Sequence, residues 1–307
     1  KEFVPKNKGP VVIKGATTSN TIAKDYMNAV QIAYRFIGSQ EADTSFEFCG
    51  KTLPSPIMAG PIGGQKKIME DGVVHYAKAV AEAGSVCWLG YHDEASWREV
   101  LNQKLPAVHV IKPLADLELL KKEILKDEED GALAFSMDID HGIDLYGKND
   151  VQNVAFGPKT AEELSELVKC TKLPFYIKGI MSVEDALEAK KAGAAGIVLS
   201  GHNNRFPCAV APMRILPAVR KAVGEDFKIF IDGGFDNGYD IFKALALGAD
   251  AVLCARAFLA AFARGQEEGL TDYILELTAQ LKGAMSNTAS KDLTSISRNA
   301  VILPQEF

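Results

Sequence analysis

The chain has no CxxC pair, no apolar run long enough to cross a bilayer, no surplus of positive charge and no low-complexity linker. Each absence narrows the possibilities. The five cysteines, Cys49, Cys87, Cys170, Cys208 and Cys254, are odd in number and widely spaced, which argues against a disulfide framework and a structural zinc site. They read as small hydrophobes in a reducing compartment, so the cytoplasm is the expected location and no metal centre is expected. A net charge of −6 gives nucleic acid and anionic membranes nothing to hold, and neither is an expected partner. The longest apolar stretch, AVLCARAFLAAFA, is interrupted by Arg256. Lys1 to Pro10 is charged and lacks the apolar core of a signal peptide.

What is present is 307 residues, 47% of them hydrophobic, enough for one large core. From about residue 54, short apolar runs alternate with segments of helical period. The runs PSPIMAG, SVCWLG, AVHVIK, ALAFSMDI, PFYIKG, GIVLSG, KIFIDGG and AVLCARAF largely lack alternation, as strands covered on both faces should. Between them, segments such as VVHYAKAVAEAG, AEELSELVKC and YDIFKALALGA carry apolar residues at helical spacing, several ending in a C-capping glycine. Eight strand–helix units predict a (β/α)8 TIM barrel; a doubly wound sheet seldom carries eight parallel strands without a second domain. The organisation expected is one domain: an N-terminal extension over 1–53, the barrel over 54–289 and a tail over 290–307. A helix around Thr21–Ile37 is expected in the extension, and a closing helix over 268–289.

Chemistry in such a barrel sits at the C-terminal ends of the strands. Those ends read Gly60-Pro61-Ile62-Gly63-Gly64, Gly90-Tyr91-His92, Lys112, then Ser136, Asp138, Asp140 and His141, then Lys178, His202 and Arg205, Asp232-Gly233-Gly234, and Ala255-Arg256. Taken singly, a strand-end lysine is an ordinary solvated flank, a histidine a turn residue and an aspartate a helix cap. Together they are too polar for a packed core. Glycines after the seventh strand allow close backbone approach, and with Arg256 they form a potential phosphate cradle.

IKGIMSVEDALEAKKAGAAGIVLSGHNNR, followed by IDGGFDNGYDIFKALALGADAVLCARAF, resembles the FMN-dependent α-hydroxy acid oxidase and dehydrogenase family. That family usually reads KG, then SNHGGRQ, then DGGxRxGxDxxKALALGA, then GRP. The likeness is strong from Leu173 to Arg264 and weaker from Thr44 to Asp140. It implies FMN as cofactor, a small 2-hydroxy acid as substrate and homo-oligomerisation. By position it implies His202 as catalytic base, Arg205 as substrate-carboxylate clamp, Lys178 beside the flavin N1/O2 edge and Asp138 as the partner of the histidine. Pro61, Ile62, Gly63, Ser136, Ser200, Asp232, Gly233, Gly234, Ala255 and Arg256 fall on cofactor-contacting positions. The chemistry agrees: arginine suits a carboxylate, histidine titrates near neutrality, and a lysine stabilises negative charge on a reduced ring.

The chain departs from the family pattern in four places. SNHGGR has become SGHNNR, which puts Asn203 and Asn204 where the family has glycines; asparagine tolerates positive φ, but two side chains are added at the cleft. The phosphate-binding arginine of DGGxR is Asp236, a loss worth roughly 1.5–3 kcal/mol before any repulsion is counted. FPCAVAP lacks the LD pair that follows the family's arginine. VHVIK replaces WFQLY, so Lys112 takes the place of a neutral residue, with His92 and His141 as further candidates for the pocket wall. The expected activity is FMN-dependent oxidation of a 2-hydroxy acid. The alternatives are a flavin enzyme of another reaction class, and a barrel that has lost FMN and binds another phosphorylated or carboxylated ligand.

Overall fold

The computed structural model describes residues 18–90, 94–152 and 154–304. Eight parallel strands close into a barrel in sequence order: β1 (Ile57–Ala59), β2 (Cys87–Leu89), β3 (Ala107–Ile111), β4 (Ala134–Asp138), β5 (Phe175–Ile180), β6 (Gly196–Leu199), β7 (Lys228–Ile231) and β8 (Ala251–Cys254). Closure is made by β8 on β1, with Leu253 opposite Met58 and Cys254 opposite Ala59. Helices follow the strands and cover the barrel, and the TIM-barrel expectation holds. Several begin at caps visible in the sequence: Thr160 with Glu163 forms a capping box, and Asp116, Ser182 and Asn237 each accept an N–H three residues on.

The two-residue period of a strand sorts side chains into two cores. Cys87, Leu89, Ile111, Met137, Ile177 and Ile231 face the helices. Met58, Trp88, Val108, Val110, Tyr176, Val198 and Phe230 fill the barrel interior. A hairpin of Phe46–Phe48 and Lys51–Leu53 joins the interior cluster, and Phe48 sits 5.8–6.1 Å from the rings of Trp88, Tyr176 and Phe230. Packing therefore fills the interior up to that layer. One step further along the same parity come Gly60, Gly90, Lys112, Asp138, Lys178, Ser200, Asp232 and Ala255, so the polar residues form the last interior layer.

Two expected helices differ in extent. The N-terminal helix spans Ser19–Ala29 rather than reaching Ile37. Val30 leaves in extended conformation, and Gln31–Ile32 pairs antiparallel with Val301–Ile302. A partner strand some 270 positions away, invisible to local periodicity, overrides helical propensity here. At the other end, helix runs from Arg256 to Ser286 with a break at Gly265–Gln266. The segment after that break matches the expected closing helix up to Ser286, three residues short of its expected end at 289.

Candidate active site

A cleft of about 1000 Å³ opens over the C-terminal ends of the strands. It stands at the upper end of the usual range for ligand pockets, roughly 300–1,000 Å³. Pro61, Ile62, Gly63, Asp138, Lys178, His202, Asp232, Gly233, Gly234, Ala255 and Arg256 all line it, as do Lys112 and His141. Ser136 and Ser200 are buried beneath it. Tyr91 and His92 lie outside the described residues.

At its centre, Asp138 sits fully buried between two lysines. Lys178 Nζ lies 2.9 Å from one carboxylate oxygen, and Lys112 Nζ 2.6 Å from the other. Burial alone would raise the Asp138 pKa, but Lys178 and Lys112 outweigh it and hold the carboxylate ionised. Burial likewise opposes the charge of Lys178, yet Asp138 and Asp232 keep its pKa above the usual lysine value. Asp232 accepts from Ser200 Oγ at 2.8 Å, and its pKa is raised by burial against the opposing pull of Lys178.

His202 stands in a run of left-handed backbone: φ is 44° at His202, 53° at Asn203 and 68° at Asn204. Three such residues in succession store strain, of order 1–2 kcal/mol each for residues other than glycine. The asparagines counter it by bonding across to the N-terminal helix. Asn204 Oδ1 accepts from both the N–H and the hydroxyl of Ser19 at 2.8 Å, and Asn203 Oδ1 accepts from Asn20 Nδ2 at 3.0 Å. The added side chains thus brace the helix along the rim of the cleft.

The carboxylate nearest His202 is that of Asp140, whose oxygens lie 3.0 and 3.1 Å from Nδ1; Asp138 is 3.9 Å away. Asp138, the expected partner, is thus the more distant of the two carboxylates, with a lysine beside each of its oxygens. Asp140 packs on Gly179, where φ is 94° and a Cβ would stand 2.8 Å from the Asp140 carboxyl carbon. A side chain at position 179 would push the carboxylate off the histidine.

Arg205 shares this turn with His202. Its Nη2 pairs with Asp150 at 2.7 Å and its Nε donates to the Asp140 carbonyl at 3.1 Å. Asp150 additionally lies 3.1 Å from His141 Nδ1. Asp138, His141 and His202 bring one donor atom each within 4.8 Å of one another. With a lysine on each Asp138 oxygen, the trio is poorly charged for a metal ion.

At the far end of the cleft, Asp236 does not stand unopposed. Lys24, from the N-terminal helix, reaches Asp236 at 2.9 Å and Asp240 at 3.1 Å. Burial disfavours the Lys24 charge, but hydrogen bonds to those carboxylates raise its pKa overall. Arg256 and Arg264 line the same end and have no ion-pair partner among the described residues. The arrangement fits FMN in two respects: a glycine turn with unpaired guanidinium groups suits a phosphate, and the buried Ser136 Oγ has no hydrogen-bond partner.

The FMN-dependent dehydrogenase family model matches residues 1–161 and 155–303. An L-lactate oxidase of Alicycliphilus denitrificans is 28% identical over 84% of this chain and 80% of its own. Glycolate oxidase 3 of Arabidopsis thaliana is 28% identical over 98% and 93%. A mandelate oxidase variant solved with a C4a-OH-FMN adduct superposes with a TM-score of 0.85, at 25% identity over 94% of this chain and 92% of that one. The class follows from barrel, cleft and family together: the protein is a flavin-dependent oxidoreductase of the TIM-barrel type. More particularly, the chain belongs to the FMN-dependent dehydrogenase family, takes FMN as cofactor and is an α-hydroxy acid oxidoreductase. The reading in which FMN is lost rested on Asp236 and on the Asn203–Asn204 pair; Lys24 pairs with Asp236, and both asparagines bond to the N-terminal helix.

Sequence reasoning missed Lys24, Asp140 as the partner of His202, and Asp150. Asp140 left a trace, two residues beyond Asp138 in SMDID; Lys24 meets Asp236 across 212 positions and Asp150 meets Arg205 across 55.

Proposed function

We propose that the protein oxidises a small 2-hydroxy acid to the 2-oxo acid with His202 as the base that takes the hydroxyl proton. The observation that carries this reading is the braced histidine: Nδ1 on Asp140, backbone held left-handed, ring on the cleft wall. FMN, when bound, supplies the acceptor for the two electrons the substrate gives up. Every other requirement falls to the chain. Asp140 orients the imidazole and stabilises its charged form. Lys178, clamped by Asp138, provides a fixed cation in a water-poor layer. Arg256, Arg264 and the Gly233–Gly234 turn hold the phosphate, with Lys24 cancelling Asp236.

Arg205 is assigned to the substrate carboxylate. Its Nη1 has no partner among the described residues, and it shares a turn with His202. Lys112, on the cleft wall, is the second cation for an acidic substrate group and supports a substrate more polar than lactate. We place the enzyme in the cytoplasm, where its five unpaired cysteines stay reduced. Among the described residues no helix is long and apolar enough to cross a membrane. A second copy of the chain is the proposed macromolecular partner, with exposed Tyr34, Phe36 and Ile37 as apolar contact surface. Light scattering after gel filtration reads that state directly.

The test is steady-state turnover on a panel of 2-hydroxy acids. His202→Ala is expected to lose about 10²–10⁴-fold in kcat, the usual worth of a general base, while retaining bound FMN. Full turnover by that variant contradicts the assignment.

A further inference from the structure

His141 and His202 meet at their outer nitrogens. Their Nε2 atoms are 3.4 Å apart, the ring centroids 4.6 Å, and the ring planes cross at 80°. The other nitrogen of each ring is committed to a carboxylate: His202 Nδ1 to Asp140 at 3.0 Å, His141 Nδ1 to Asp150 at 3.1 Å. Both carboxylates are held ionised. For Asp140, burial is outweighed by the His202 hydrogen bond; for Asp150, burial is outweighed by His141 and Arg205.

An ionised carboxylate only accepts hydrogen bonds, so both Nδ1 atoms carry hydrogen. Two neutral rings in that tautomer would aim lone pairs at each other across 3.4 Å. The contact becomes attractive when one proton lies between the two Nε2 atoms. We propose that His141 and His202 form a proton-sharing dyad carrying one positive charge, in which His141 is a positioning residue that holds a proton on the outer nitrogen of His202. This inference rests on His202 being the base.

The charges around the pair decide which ring keeps the proton. His141 faces Lys112, Asp140 and Asp150, with Arg205 on the same Asp150 carboxylate; His202 faces Asp140, Asp138 and, beyond it, Lys178 and Asp232. Burial, then Lys112 and His202, push the His141 pKa down to about 4. With Lys112 on the His141 side of the pair and the Asp140 and Asp138 carboxylates on the His202 side, the surrounding charge favours the shared proton on His202 and leaves His141 to accept. In this state the base is masked. His202 accepts a hydroxyl proton only after the proton aimed at His141 has left to solvent, so the acid limb of kcat/KM reports the dyad rather than an isolated imidazole.

The experiment uses the FMN-loaded protein labelled with ¹⁵N-histidine, assigned by single substitutions among its five histidines. At neutral pH we expect one ring protonated on both nitrogens, His202, hydrogen-bonded to one protonated on Nδ1 alone, His141. In His141→Phe the imidazolium loses its acceptor, so the acid limb of kcat/KM should move to lower pH by about one unit, roughly tenfold in proton affinity. His141→Gln, whose amide oxygen can accept, should recover part of that shift. A neutral His202 in the wild type at neutral pH, or an unmoved limb in a folded His141→Phe, overturns the proposal. Signals that change on adding a chelator overturn it too, because a bridging cation would then replace the proton. The ring protonation is read without turnover, so an inactive protein with the predicted spectrum contradicts the 2-hydroxy acid reading and leaves the dyad standing.

Discussion

Lys24 is the residue on which the phosphate end of the cleft turns. Where the family pattern has an arginine, this chain has Asp236, and the compensating cation arrives from a helix 212 positions earlier in sequence. Lys24→Ala should leave the carboxylate uncompensated beside a doubly negative group and weaken FMN binding by about ten- to a hundredfold. Quenching of FMN fluorescence measures it, and adding Asp236→Asn should restore most of the affinity. An unchanged dissociation constant would mean that Lys24 acts only on Asp240. His141 makes a second prediction at this scale. Its folded pKa of about 4 lies below the unfolded value near 6.5, so the unfolded chain binds the extra proton first as pH falls. Stability should therefore be lost on acidification, by roughly 2 kcal/mol between pH 7 and pH 5, and His141→Phe should flatten that slope in urea melts.

Elements place these residues. The strand ends were legible in the sequence, and they group Lys112, Asp138, Lys178 and Asp232 at one mouth of the barrel. The runs lacking alternation likewise announced strands covered on both faces. Hidden from sequence was the work of the N-terminal helix. Its bonds to Asn203 and Asn204 join positions more than 180 residues apart, so the asparagines read as intrusions into the cleft when they are braces. Its early end at Ala29 was hidden for the same reason, since the strand that takes over pairs with Val301 and Ile302. Asn204→Ala removes two hydrogen bonds and puts alanine at a φ of 68°, so hydrogen exchange over Ser19–Ala29 should quicken and FMN affinity should fall. Asn204→Gly relieves the backbone strain without restoring the bonds and should fall between. Equal exchange in all three proteins would contradict the brace.

The whole molecule is a barrel plugged at one end by the Phe46–Leu53 hairpin and open at the other, where charge is concentrated instead of apolar bulk. That asymmetry explains why family motifs could be mapped onto the fold from sequence, while the pairing inside the charged layer could not. Asp138 serves two lysines, so Asp140 serves the histidine, and residue spacing gives no means of ranking the two carboxylates. The central claim is that this layer, with FMN bound, takes electrons from a 2-hydroxy acid through His202. Its most direct measurement is the visible flavin spectrum of the FMN-loaded protein, mixed anaerobically with a panel of 2-hydroxy acids. The account predicts bleaching by at least one of them in the wild type and none on the same timescale in His202→Ala. A protein that takes up no FMN, or a His202→Ala variant that bleaches as fast as the wild type, would contradict it.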